Sequence, residues 1–198
     1  MISDLGLCGP ARFIAKNDVH GVLPYIAPEV LRGKSYTRAA DIYSFGIIMW
    51  EMTSGIPAFH NISHDFQLSL DICKGIRPEI IEGTMPEYVE LMKRCWDNDP
   101  EKRPRVYELE EIFFEWIKCY PIEDGKKRIS VPEDEPEFIY HPKSCYTSRK
   151  INYSNKLNGI LDGLSDIIVI MSDNDGNNNG YDYETMMSED LEHCAIKN

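Results

Sequence analysis

A mainly α-helical fold is predicted by two observations. Four segments between Thr37 and Lys118 space their apolar residues as helices do, each bounded by a cap, a glycine or a proline. No stretch of residues 1–119 alternates apolar and polar convincingly enough to predict a strand.

Residues 1–36 mix Gly, Pro and short apolar stretches without sustained period, which predicts a loop. Thr37 is a candidate N-cap for a helix from Arg38 to Thr53, with Gly55 and Pro57 ending it. Ile42, Phe45, Ile47, Ile48, Met49, Trp50 and Met52 cover nearly every face of that helix, which predicts burial on all sides. A second helix is expected over His64–Lys74, stopped by Gly75. A third follows Pro86 and runs to Trp96. A fourth spans Val106–Lys118, where Val106, Leu109, Ile112, Phe113 and Trp116 recur at spacings of three and four.

The composition changes near Pro121. Residues 121–142 hold four prolines and several acids, and residues 173–180 are only Asp, Asn and Gly. Residues 1–119 therefore read as the folded part, and 120–198 as an acidic, largely disordered tail with too little apolar surface to offset chain entropy.

The net charge of −12 argues against nucleic acid or an anionic membrane as the main partner, since both need basic patches. No apolar run approaches the ~20 residues of a membrane span. No secretory signal pattern opens the chain. The six cysteines are scattered with no C-x-x-C pair, which reads as reduced thiols of an intracellular (cytoplasmic) protein rather than a zinc site or disulfide framework. His20, His60, His64, His141 and His193 have no evident nucleophile or metal partner in the sequence.

Four short patterns fall in a set order. They are Asp4-Leu5-Gly6; Gly21-Val22-Leu23-Pro24-Tyr25-Ile26-Ala27-Pro28-Glu29; Asp41-Ile42-Tyr43-Ser44-Phe45-Gly46; and Cys95-Trp96 followed by Asp99-Pro100 and Arg103-Pro104. Each alone is weak. Together, over about 100 residues and with helices where they belong, they resemble the C-terminal half of a eukaryotic protein kinase domain. The resemblance covers residues 1–117, so the expected fold is the C-terminal lobe of a protein kinase, without the β-rich N-terminal lobe and the catalytic loop.

The resemblance implies a role for each matching residue. Asp4 corresponds to the carboxylate that holds Mg²⁺ against the ATP phosphates, a hard oxygen ligand for a hard cation. Gly6 would let the backbone swing. Leu5 replaces the usual Phe, and an apolar residue can still pack inward there. Residues 7–24 correspond to the activation loop, and Leu23, Pro24 and Tyr25, continuing to Ala27, to the wall that receives a peptide substrate. Glu29 is expected to pair with Arg103 as a buried clamp. Asp41 corresponds to the aspartate that holds the catalytic loop, and Trp96 is a core residue. Val22 stands where many serine/threonine kinases carry a threonine, so that hydroxyl contact has no donor here. Residues 5–24 contain no Ser, Thr or Tyr, so the loop itself offers no phosphate acceptor.

Tyr25 before Ile-Ala-Pro-Glu points to serine/threonine kinases. The Cys-Trp, Asp-Pro and Arg-Pro series is shared with tyrosine kinases. The blend implies the tyrosine-kinase-like group with serine/threonine specificity. The implied cofactors are ATP and Mg²⁺, and the implied partners a protein substrate or partner kinase. The 198 residues contain no Val-Ala-Ile-Lys lysine and no His-Arg-Asp aspartate, so this chain is expected to be catalytically incomplete. Two alternatives compete. One is a non-catalytic interaction module. The other is a Ca²⁺-binding tail, because Asp173, Asp175, Asn177 and Glu184 fall at positions 1, 3, 5 and 12 of an EF-hand-like loop, against Asn178 at position 6 and Gly180 at position 8. Lys126-Lys127-Arg128-Ile129-Ser130 reads as a solvated linker patch.

Overall fold

The computed structural model describes residues 19–119 and 139–173, with side chains to residue 164. Asp4, Leu5, Gly6, residues 7–18, the Lys126–Ser130 patch and all but the first residue of the 173–184 loop lie outside the described residues. The chain divides into two units, residues 1–159 and 160–198.

The described elements run β1 (Val19–Gly21), a 3-10 turn at Leu23–Tyr25, α1 (Pro28–Leu31), α2 (Arg38–Ser54), α3 (Phe66–Cys73), α4 (Pro86–Cys95), a 3-10 turn at Pro100–Lys102, α5 (Val106–Cys119), β2 (Arg149–Ile151) and α6 (Ser154–Asp173). The structure is mostly helical with one small two-stranded sheet. Among the described residues no helix is long and apolar enough to cross a membrane.

The capping chemistry sets the helix ends. The Thr37 hydroxyl accepts from the Ala40 N–H at the start of α2, and Gly55 closes it in the left-handed conformation at φ 70°. For α3 the cap is Asp65, whose carboxylate accepts from the N–H groups of Gln67 and Leu68. The helix therefore starts two residues after the expected His64, which turns inward instead.

Helix α2 is the spine. Ile42, Tyr43, Ile47, Met49 and Trp50 are buried, and the Trp50 indole N–H donates to the Glu79 carbonyl at 2.6 Å. Gly46 lets α4 approach closely. A Cβ there would stand 2.9 Å from the Cys95 Cβ and 3.0 Å from the Trp96 backbone nitrogen. Helix propensity alone favours Gly46→Ala by ~1 kcal/mol. Crowding against backbone reverses the sign, and we expect a net loss of ~1–3 kcal/mol, read as a lower urea midpoint at unchanged slope. A raised midpoint would show that α2 and α4 separate freely.

Three expectations need correction. Burial of α2 on all sides does not hold: Ile48 is 39% and Met52 73% exposed, because nothing among the described residues covers that stripe. The N-terminal loop contains β1 and α1. The boundary at 119/120 also moves, because residues 139–158 pack on the helices rather than forming part of a disordered tail. Ile151 and Leu157 are buried, and β2 pairs antiparallel with β1 in the register Val19–Ile151, His20–Lys150, Gly21–Arg149. A few well-placed apolar side chains, together with backbone pairing, hold a segment whose average composition is too polar to fold alone.

Candidate functional site

The centre of the site is a buried ion pair. Arg103 reaches Glu29 with both ends of its guanidinium, Nη1 to Oε1 and Nη2 to Oε2, each at 2.8 Å. Its other donors go to backbone carbonyls: Nη1 to Ala39 (2.8 Å), Nε to Asp97 (2.8 Å) and Nη2 to Asn98 (3.4 Å). All five N–H groups are thus engaged, which is what burying a charge requires. The local sequence explains the placement. Pro28 at the first position of α1 sends Glu29 into its first turn. Asp99 caps the 3-10 turn at Pro100–Lys102, which delivers Arg103 at its end.

A second arginine, which the sequence reading missed, completes this layer. Arg77 donates twice to the Trp96 carbonyl, at 3.0 and 2.8 Å, once to Ile72 (2.9 Å), once to Ile76 (2.8 Å) and once to the Asn98 side chain. Tyr43 lies under both arginines, its ring centroid 5.0 Å from Arg77 and 5.3 Å from Arg103. Burial pushes the Tyr43 hydroxyl up to about 12, opposed by the two guanidinium charges. That hydroxyl has no hydrogen-bond partner among the described residues. The signal for Arg77 was one cation beside Pro78 after a helix-stopping glycine, and nothing local shows that three carbonyls and a side-chain amide converge on it.

The residues expected to receive a peptide form the 3-10 turn Leu23–Tyr25. Leu23 and Pro24 are buried, and the Tyr25 hydroxyl donates to Glu51 Oε1 at 2.8 Å. The same oxygen accepts the Ala58 N–H at 2.8 Å. Ser44, on α2, donates its hydroxyl to the Tyr25 carbonyl at 2.7 Å, which pins the wall to the spine. Burial, then the Glu51 carboxylate, hold the Tyr25 hydroxyl above the usual phenol range, so it stays protonated and keeps donating.

Asp41 lies exposed in the first turn of α2, its carboxylate without a hydrogen-bond partner among the described residues. Trp96 is buried at the end of α4. The structure therefore joins Glu29 with Arg103 and Trp96 with Arg77, and sets Tyr25 on α2. Asp4 and Gly6 lie outside the described residues. Burial pushes the free Cys73 and Cys95 thiols up to about 11 and 12, so both are packing residues. No group of three or more His, Cys, Asp or Glu among the described residues is placed to hold a metal ion.

A family model described as protein tyrosine and serine/threonine kinase matches residues 1–113, more than half of the chain. The chain belongs to the protein kinase family. Relatives of this kinase chain include a probable serine/threonine-protein kinase of Dictyostelium discoideum, 34% identical over 117 residues, covering 59% of this chain and 8% of the relative. The serine/threonine/tyrosine-protein kinase HT1 of Arabidopsis thaliana is 30% identical over 139 residues, covering 68% of this chain and 35% of its own length. The dual specificity protein kinase shkA of Dictyostelium discoideum is 38% identical over 106 residues, 51% of this chain and 20% of the relative. The chain thus spans between under a tenth and about a third of these kinases. Kinases of this family depend in general on ATP and Mg²⁺ and act on proteins. The residues described here do not by themselves provide the metal site, since its one ligand implied by the sequence, Asp4, lies outside them.

Proposed function

We propose that this chain supplies the peptide-receiving lobe of a serine/threonine protein kinase of the tyrosine-kinase-like group, and that its 198 residues alone do not transfer phosphate. The observation that carries the reading is the bidentate Glu29–Arg103 clamp, whose Glu29 sits in α1 four residues after the Leu23–Tyr25 turn. Rigid positioning of a peptide acceptor is what phosphoryl transfer asks of this lobe, since the reaction depends on alignment and charge stabilisation. Asp4 would hold Mg²⁺, and the bound nucleotide would supply the transferred group. The anchoring lysine and the catalytic aspartate are not among these residues. The exposed Ile48 and Met52 on α2 support the same reading, because an apolar stripe of this kind fits against a further part of a domain.

Calorimetric titration of the 198-residue chain with Mg-ATP is expected to show no binding below the millimolar range. Sub-millimolar affinity would overturn the catalytic incompleteness. A longer in-frame product that carries the lysine and His-Arg-Asp motifs is expected to phosphorylate serine or threonine in peptide libraries, and to lose this activity on Asp4→Asn. Selective labelling of tyrosine would overturn the specificity.

A further inference from the structure

Residues 141–158 form a strap fastened at both ends, and its middle runs along the wall. At one end His64 is the post. Its backbone N–H donates to the Lys143 carbonyl at 3.1 Å, and its Nδ1 lies 3.1 Å from the Cys145 N–H nitrogen. Its Nε2 lies 3.1 Å from the Phe59 carbonyl oxygen, and the Arg149 guanidinium donates to the His64 carbonyl. At the other end Leu157 is fully buried, and Asn158 exchanges two hydrogen bonds with Arg32, at 2.8 and 3.0 Å. Tyr153 packs edge-on against Phe66 of α3 at 5.5 Å.

Between these anchors the direction of the chain matters. Because β2 is antiparallel to β1 and Arg149 faces Gly21, residues before Arg149 run toward Val22 and the wall. The side chains agree. The Tyr146 hydroxyl donates to the Ala58 carbonyl at 2.9 Å, beside the Glu51 oxygen that Tyr25 and Ala58 share. Thus Arg149–Ile151 pairs with Val19–Gly21 along the main chain, and three residues earlier the Tyr146 hydroxyl is held at Ala58, whose N–H shares the Glu51 oxygen with Tyr25. Adding a strand to an exposed edge is a common way to bind an extended peptide, with affinity from the main chain and selectivity from alternate side chains.

We propose that the β1 edge and the Leu23–Tyr25 wall form a groove for an extended peptide of aromatic-x-x-Arg-Lys-Ile type, and that this chain's own Tyr146–Ile151 occupies it as an internal competitor. The proposal rests on reading Leu23–Tyr25 as the substrate wall, and it adds what that wall takes and how it is closed. A tethered segment acts at an effective concentration on the order of millimolar, so a peptide in trans enters only when the strap is loosened.

The test is fluorescence anisotropy with a labelled synthetic peptide of residues 143–158, added to the full chain without nucleotide. Two variants loosen the strap. Ile151→Asp removes its buried anchor, and Asn158→Ala removes the Arg32 latch at a half-exposed position. Each is checked for a cooperative melt, and Asn158→Ala decides if Ile151→Asp does not fold. The folded variant is expected to bind the peptide at least ~10-fold more tightly than the wild-type chain, and not to bind a scrambled peptide. Equal affinity in variant and wild type, or no binding by a folded variant, overturns the proposal. Because no nucleotide is present, that result leaves the phosphoryl-transfer reading standing, and failure of phosphoryl transfer leaves the peptide result standing.

Discussion

Arg103→Ala is expected to lower the unfolding free energy by ~3–5 kcal/mol, the usual consequence of stranding one member of a buried pair. The Glu29 carboxylate, 7% exposed beside Arg103, would be left with both its oxygens unpaired, and the carbonyls of Ala39, Asp97 and Asn98 would lose their donor together. For a folded unit of this size the loss corresponds to a fall in Tm of ~10 °C. Glu29→Gln should cost less. Its amide oxygen still accepts one bond, and Arg103 keeps its three carbonyls. The ordering, with the arginine variant clearly below the glutamine variant, is what thermal and urea melts should show. Coincident melts of Arg103→Ala and the parent would mean that the clamp bears no structural strain and that the wall is positioned by other contacts.

The second large effect is expected far from any motif. Leu157→Ala should cost ~2–5 kcal/mol if the strap unfolds together with the lobe, because the side chain is wholly buried. The loss is capped by the free energy with which the strap docks, since a weakened strap can open while the helices stay folded. Two measurements separate the cases. Urea unfolding reads the global loss. Hydrogen exchange across Val19–Gly21 reads strap opening, because those residues form β1 and pair with β2. A variant with unchanged midpoint and unchanged exchange would return residues 139–158 to the disordered tail that their composition suggests.

Helices α2 to α5 were legible because their signals are local. Thr37 and Gly55 bound α2, Pro86 opens α4, and the three-and-four spacing marks α5 within a residue of its observed end. The start of α3 was placed two residues early, since Asp65 beside His64 is the acceptor for its exposed N–H groups, and α1 and α6 were not expected as helices at all. The Glu29–Arg103 pair was anticipated through the motif series, although 74 residues separate the partners. Arg77 was not, because its partners are mostly backbone carbonyls, and any residue type offers those.

The strap was illegible for a different reason. β1 is the three residues Val-His-Gly, too short to show a period, and its partner lies about 130 positions away. Strand preference at that length is set by what the strand packs against, not by its own residues. Ile151 and Leu157 sit among polar neighbours, and only the pocket they enter distinguishes them from exposed apolar residues such as Met52.

The sequence by itself thus determined the family, the order of α2 to α5, the Thr37 cap and the residues of the clamp, since these follow from local spacing, propensity and an ordered motif series. Tertiary structure alone decided that Arg77 and Arg103 both lie against the Tyr43 ring, that one stripe of α2 stays open, and that a polar segment doubles back to pair with β1. Those outcomes depend on which surfaces meet across long sequence separations, where burial and main-chain pairing outweigh the average composition of either partner.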